Sequence, residues 1–189
     1  HLAMKRDGLL SLRYDFIYIT LNGNDMGLYA LEEHFEKRLV ENNRRLNGPI
    51  IKFSNYGFGL YDSAKSGSVR SDPVLYQQYQ KATGLLVALG NGDMTVGEVF
   101  DLEKLASFAA LIDLMAAPHG FHSSSSRMYY NPVTSRLEIF GYDNLSSGAL
   151  DRLVGAGRSY FQAGGVPDYT LVNRLFHDPE FFQAYVKEL

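Results

Sequence analysis

The order of apolar and polar positions along the chain predicts short strands separated by helices. Runs of apolar, aromatic and β-branched residues predict strands at residues 14–21, 26–31, 50–53, 128–130 and 136–140. Asn22-Gly23 predicts a tight turn that joins the first two of them into a hairpin. Apolar positions at helical spacing predict helices at residues 32–45, 73–89, 102–116, 170–176 and 179–189. The combination of predicted strands and helices indicates an α+β domain.

Several predicted helices begin at residues that satisfy free backbone N–H groups. Asp72, Asp101 and Asp178 each precede a helical pattern, and aspartate is a favoured N-cap residue. Thr95 and Glu98 have the spacing of a capping box. Between the third strand and Asp72, residues 54–72 are rich in glycine, serine and charge, which predicts a loop or a mobile flap.

Composition narrows the class of protein. With 189 residues and 46% hydrophobic side chains, the chain is long enough to bury a core and to form one domain of two small lobes. A net charge of -3 leaves no basic surface typical of nucleic-acid binding, and no apolar run is long enough to span a membrane. The absence of cysteine excludes disulfides and thiolate metal sites. Because the chain starts without methionine and stops inside a helical pattern, we expect a piece of a longer protein, truncated at both ends.

Candidate chemistry is concentrated between residues 111 and 144. An apolar helix carries Asp113 near its end, a polar loop holds two histidines and four consecutive serines, and a hairpin leads to Asp143 and Asn144. A protein-kinase-like catalytic lobe presents its base and its metal-binding carboxylate in this order. The order by itself is a weak signal.

Two charges in the first part of the chain form a second candidate pair. Lys52 lies in the short buried strand at residues 50–53, and Glu33, or less favourably Glu32, lies in the helix predicted before it. Such a lysine can neutralise nucleotide phosphates while a glutamate holds its ammonium group. Spacing alone favours two solvated surface charges. The G-x-G at residues 57–59 could cover phosphates, although a surface loop is the simpler interpretation.

The histidines allow another interpretation. His119, His122 and Asp143 could form the His-His-Asp zinc site of a hydrolase. Two histidines that follow a proline in a loop are more often hydrogen-bonding residues, and we favour that role.

Four segments together resemble the CotH kinase family, named after a bacterial spore coat protein. They read FIYITLNGNDMGLYALEEHFEKRL, GPIIKF, EVFDLEKLASFAALIDL and SRMYYNPVTSRLEIFGYDN, in the family's order. The most specific motif is N-G-x-x-x-G-x-Y-x-x-x-E, formed by Asn22, Gly23, Gly27, Tyr29 and Glu33. The resemblance implies an atypical protein-kinase-like, two-lobed fold with an N-lobe at about residues 1–72 and a C-lobe at about residues 73–189.

The resemblance also implies roles for single residues. Lys52 matches the nucleotide-binding lysine and Glu33 its partner, whereas Asp143 matches the ligand of Mg²⁺ or Mn²⁺. Asp113 is the candidate for the catalytic residue that orients the substrate hydroxyl, and a charge on the solvent face of the helix is the alternative.

The chain departs from the family at the second metal ligand. The family carries an asparagine just before the hairpin, and Ser125 stands closest to that position. A serine hydroxyl is a weaker ligand than an amide oxygen. Asn144 could replace it, although neighbouring residues of an extended segment point to opposite sides.

The resemblance implies ATP- and metal-dependent transfer of a phosphoryl group to a serine or threonine hydroxyl of a protein substrate. Ser125 and the expected truncation favour an alternative, a catalytically inactive pseudokinase that serves as a binding or scaffold module of an exported or surface protein in bacteria. Neither function requires a nucleic-acid partner.

Overall fold

A computed structural model describes residues 2–54, 61–144, 162–163, 166–167 and 170–189. The strands in this part of the chain are β1 (Leu10–Ser11), β2 (Tyr14–Leu21), β3 (Asn24–Glu32), β4 (Ile50–Phe53), β5 (Tyr61–Ser63), β6 (Arg127–Asn131), β7 (Arg136–Gly141), β8 (Gln162–Ala163) and β9 (Val166–Pro167). The helices are α1 (Leu2–Arg6), α2 (Lys37–Asn42), α3 (Ser66–Ser71), α4 (Pro73–Asn91), α5 (Val96–Val99), α6 (Leu102–Leu114), α7 (Thr170–His177) and α8 (Pro179–Glu188), with a 3₁₀ helix at Pro118–Phe121.

A five-stranded mixed sheet with the order β1-β7-β6-β4-β5 lies at the centre of the fold. Strand β1 is parallel to β7, and the other neighbours are antiparallel. The structure therefore confirms the mixed α+β class. Strands from both sides of the predicted boundary at residue 72 share this sheet, and the two-lobed arrangement stays a prediction.

Both faces of the sheet are covered because alternate side chains of a strand point to opposite sides. On one face, Ile51, Met128 and Ile139 belong to a large buried cluster that includes residues of α4, α6 and α8. On the other face, Ile50 and Tyr129 pack in a smaller cluster with residues of α2 and β1. The second face also carries the charged residues of the candidate site.

The capping residues act as the sequence predicts. Asp72 accepts hydrogen bonds from the N–H groups of Val74 and Leu75 at the start of α4. The capping box of Thr95 and Glu98 is formed, and Asp101 caps α6. No helix in the described ranges is long and apolar enough to cross a membrane.

Strands β2 and β3 form the predicted hairpin outside the central sheet. Asn22 and Gly23 have φ angles of 52° and 84°, the positive values that such a tight turn requires. The two strands pack mainly on each other and expose several large apolar side chains, including Phe16 and Tyr18.

Two predicted elements are wrong. The helix predicted at residues 32–45 is confined to α2, because Glu32 continues β3 by pairing with Tyr14. The loop predicted at residues 54–72 contains β5, which pairs with β4, and helix α3. In both cases, pairing with a neighbouring strand overrides the local preference of the sequence. The G-x-G at residues 57–59 lies outside the described residues.

Candidate functional site

Asp143 lies just after the end of β7, beside the polar loop that precedes β6. Its φ angle is 51°, a left-handed conformation that aspartate tolerates better than most residues. The hydroxyl of Ser125 donates to Asp143 Oδ2 at 2.9 Å. His119 Nδ1 lies 3.2 Å from the same oxygen and 3.1 Å from the main-chain oxygen of Asp143. The loop and the end of β7 are thus joined through one carboxylate.

The hydrogen bonds determine which nitrogen of His119 carries a proton. Ser125 has one hydroxyl proton, which it donates to Asp143, so its oxygen accepts from His119 Nδ1 at 3.1 Å. The carboxylate and carbonyl oxygens of Asp143 can also only accept. His119 Nδ1 must therefore be protonated.

His122 extends this network on the side away from Asp143. Its ring stacks on that of His119 with centroids 5.5 Å apart and an interplanar angle of 3°. Its Nδ1 lies 2.6 Å from the hydroxyl of Ser124. The hydrogen-bonding role that we favoured for both histidines is confirmed. In the described part of the chain, no group of three or more His, Cys, Asp or Glu side chains is arranged to hold a metal ion.

A second carboxylate, that of Glu32, feels the negative charge of Asp143. Burial raises the pKa of Glu32, and the negative charge of Asp143 raises it further. The two carboxylates therefore repel each other, and a cation placed near both would relieve the repulsion. In the sequence analysis, Glu32 takes second place to Glu33 as the partner of Lys52 and both lie on a predicted helix, whereas Glu32 lies at the end of β3.

Asn144 contributes a buried oxygen to the same region. Its Oδ1 is inaccessible to solvent and has no hydrogen-bond partner within the described structure. The side chain lies against Gly120, where an added Cβ would come within 2.2 Å of Oδ1. A buried acceptor without a donor is costly, and Asn144 Oδ1 meets no donor among the described residues.

Lys52 occupies the middle of a row of charged side chains across the second face of the sheet. It pairs in register with Asp62 of β5 on one side and with Arg127 of β6 on the other. Lys52 Nζ lies 3.8 Å from Asp62 Oδ2, and both side chains are partly exposed. Arg127 interacts electrostatically with Asp143. The row thus connects the sheet lysine with the carboxylate at the end of β7.

Comparison with known protein families identifies the chain. The family model described as CotH kinase protein matches residues 3–189. The chain belongs to the CotH kinase family. A search of curated proteins found no significant match. Family membership confirms the resemblance inferred from the sequence motifs and indicates a kinase-like function.

The CotH motif glutamate, Glu33, is not paired with Lys52, so the predicted ion pair is wrong. Glu33 Oε1 accepts from Arg13 Nη2 at 2.8 Å, and Asn42 also donates to this carboxylate. Burial raises the pKa of Glu33, but the hydrogen bonds from Arg13 and Asn42 outweigh it and lower the pKa overall. The end of β3 turns Glu33 towards Arg13, and together they line an open cleft of about 1100 Å³. Asp62 takes the place of Glu33 beside Lys52.

Asp113 is buried in this CotH domain, with 2% of its surface exposed. The hydroxyl of Tyr185 in α8 donates to its Oδ2, and Tyr185 is also buried. The alternative of a charge on the solvent face is therefore wrong. Its predicted catalytic role is untested, but contact between α6 and α8 gives Asp113 a structural partner and keeps it away from solvent.

Proposed function

We propose that this CotH-family domain transfers a phosphoryl group from ATP, with the help of a divalent metal ion, to a hydroxyl group of a protein. The row formed by Asp62, Lys52 and Arg127, continued electrostatically to Asp143, carries the proposal. Phosphoryl transfer needs cations that bind phosphate oxygens next to a carboxylate that binds the metal. Both kinds of group occur here on adjacent elements.

In this proposal, the side chains around Asp143 hold a magnesium or manganese ion. Asp143 and Glu32 supply carboxylate oxygens that repel each other, and Asn144 supplies a buried oxygen without a partner. Magnesium in nucleotide sites is usually held by one or two carboxylates together with phosphate oxygens. When bound, the metal neutralises charge on the phosphates.

The predicted ligand Ser125 has a different role in this proposal. Ser125 is buried, with 1% of its surface exposed, and its hydroxyl donates to Asp143. Ser125 therefore orients the carboxylate. His119 Nδ1 contacts the same carboxylate oxygen. Asn144 supplies the second oxygen. Lys52 binds phosphate while Asp62 holds its ammonium group.

Nucleotide binding tests this proposal first. Purified protein is titrated with ATP in the presence and absence of Mg²⁺ or Mn²⁺ while the melting temperature is recorded, because a ligand that binds only the folded state must raise it. We expect a metal-dependent rise that is lost in Lys52→Ala and Asp143→Ala. The exposed residues Lys187 and Asp93 provide matched controls, and Lys187→Ala and Asp93→Ala should behave like the wild type.

Transfer itself is measured with ATP labelled in its γ-phosphate and a serine-containing protein acceptor. Label on the acceptor that requires Asp143 would complete the proposal. A folded wild-type protein whose melting temperature ATP and metal do not change would refute it.

A second candidate is a pseudokinase that binds partners without catalysis. Two observations favour it: Ser125 replaces the family asparagine, and Asp113 is buried against Tyr185. This candidate predicts either ATP binding without turnover or no ATP binding at all. Sustained ATP turnover that is lost in Asp143→Ala would exclude it.

A further inference from the structure

Two positively charged side chains face each other across β4 and β6. Lys52 and Arg127 are directly opposed Cα partners, so their side chains leave the same face of the sheet only a few ångströms apart. Like charges in directly opposed positions destabilise a sheet. One carboxylate, that of Asp62, lies near Lys52, and its separation of 3.8 Å is at the outer limit for an ion pair. The pair of cations is thus only partly neutralised.

Arg127 is held in one orientation by aromatic rings. Its guanidinium carbon lies 5.6 Å from the ring centroid of Phe35 and 5.4 Å from that of Tyr142. Those two rings contact each other edge to face, with centroids 4.9 Å apart. Arg127 Nη1 donates to the main-chain oxygens of Ser124 at 2.8 Å and Ser126 at 3.0 Å. One edge of the guanidinium group is therefore fixed on the loop that also carries His119 and Ser125.

Two other donors of Arg127 meet no acceptor in the part of the chain that the structure describes. Within the described residues, its Nε and Nη2 atoms make no hydrogen bond, and no carboxylate lies within 4.0 Å of the guanidinium group. Burial lowers the pKa of Arg127, and its electrostatic interactions with Tyr142 and Asp143 compensate only in part. A half-buried cation with no carboxylate in direct contact among the described residues is costly unless an anion completes its surroundings.

We propose that Arg127 and Lys52 together bind the phosphate oxygens of the nucleotide, with Arg127 as a second phosphate-binding residue that sequence reasoning missed. This inference rests on the proposed function and identifies which part of ATP the sheet face contacts. Arginine presents parallel N–H donors that match two phosphate oxygens, and lysine adds a point charge. The aromatic rings keep the arginine in position before the ligand arrives.

Arg127→Gln tests the inference, with Arg136→Gln as the matched control. Arg136 lies on the same hairpin at the exposed start of β7, and the substitution makes the same change in net charge. Equilibrium binding of ATP and of tripolyphosphate, each with and without Mg²⁺, is measured for wild type and both variants. A second variant, Arg127→Lys, retains the charge and loses the fork of donors.

We expect Arg127→Gln to weaken the binding of both ligands by about tenfold to a hundredfold, the effect of one charge-assisted hydrogen bond or two. Arg127→Lys should recover part of that loss, and Arg136→Gln should lie within about twofold of wild type. Arg127→Gln protein is checked for a native circular dichroism spectrum and a cooperative melt, so that weaker binding is not attributed to unfolding.

The outcomes separate this inference from the proposed function. Wild type that binds ATP while Arg127→Gln binds it equally well would overturn the inference alone and leave Arg127 with a structural role. The wild type could instead bind tripolyphosphate as tightly as ATP and lose both affinities in Arg127→Gln. That result would support the anion site and count against the kinase assignment. Wild type that binds neither ligand would overturn both.

Discussion

Glutamine in place of Glu138 should destabilise the strand that leads to Asp143. Glu138 is 2% exposed and accepts hydrogen bonds from Arg45 Nη2 at 2.8 Å and Asn131 Nδ2 at 2.7 Å, and Lys104 Nζ lies 3.1 Å away. This carboxylate therefore connects the segment after α2, the start of α6 and strand β7. It is the most extensively paired of the described buried charges.

The expected magnitude follows from what the substitution leaves behind. Removing one partner of a fully buried ion pair costs about 3–5 kcal/mol, largely because the other charge stays buried. Here the side chains of Arg45 and Lys104 are 21% and 29% exposed, and Lys104 keeps an ion pair with Asp101 at 2.7 Å. Water and Asp101 offset part of the loss, so we expect Glu138→Gln to lower the free energy of unfolding by about 2–3 kcal/mol.

The effect should depend on pH in a defined direction. Burial raises the pKa of Glu138, but the hydrogen bonds from Arg45, Asn131 and Lys104 outweigh it and bring the pKa below the ordinary value of 4.5. A carboxyl whose pKa is lower in the folded state stabilises the fold above its unfolded pKa, and the stabilisation is lost as the pH falls. The difference between wild type and Glu138→Gln should therefore be constant near neutral pH, begin to shrink near 4.5 and disappear as the pH falls through the lower pKa of the folded state.

Urea unfolding followed by far-ultraviolet circular dichroism measures both quantities, since the chain contains no tryptophan. Glu103→Gln is the control, because Glu103 lies exposed on the first turn of α6 and the substitution removes the same charge. A Glu138→Gln protein within about 0.5 kcal/mol of wild type at pH 7 would refute the argument from burial. A difference that persists unchanged well below pH 4.5 would refute the argument from ionisation.

Two further substitutions test how the elements around the site are joined. Gly48→Ala should lower the free energy of unfolding in urea by about 1–3 kcal/mol, because the added Cβ would lie 2.5 Å from the main-chain oxygen of Tyr130. Gly84 in α4 has open space around it, so Gly84→Ala should be neutral or stabilising. Equal effects of the two substitutions would contradict this explanation. Asp178→Ala should lower the free energy of unfolding by about 1–2 kcal/mol, which a thermal melt measures as a lower midpoint. Asp178 caps α8, and its Oδ2 accepts from Val96 N at 2.9 Å. Asp178→Asn can keep the oxygen that caps α8 but not the acceptor for Val96 N, so it should lose less stability than Asp178→Ala, and an equal loss would contradict the assigned role of the cap.

Local patterns in the sequence were sufficient for much of the secondary structure. Strands β2 and β4 have the bounds that were predicted, and the caps at Asp72, Asp101 and Asp178 are formed. These features depend on residues within a few positions of each other, such as a side chain and the N–H groups of the next turn. The motifs that identify the CotH family are local in the same sense.

Contacts between distant segments decided the partners of the site residues. Lys52 pairs with Asp62 because β5 forms in a segment whose composition predicts a loop, and Glu33 pairs with Arg13 because β3 extends past the predicted start of a helix. Arg127 became a candidate only when its strand was placed beside β4. Asp113 looked accessible in the sequence, but the packing of α8 buries it against Tyr185. Charges have no local periodicity that identifies their partners, so the tertiary structure alone determines which of them meet.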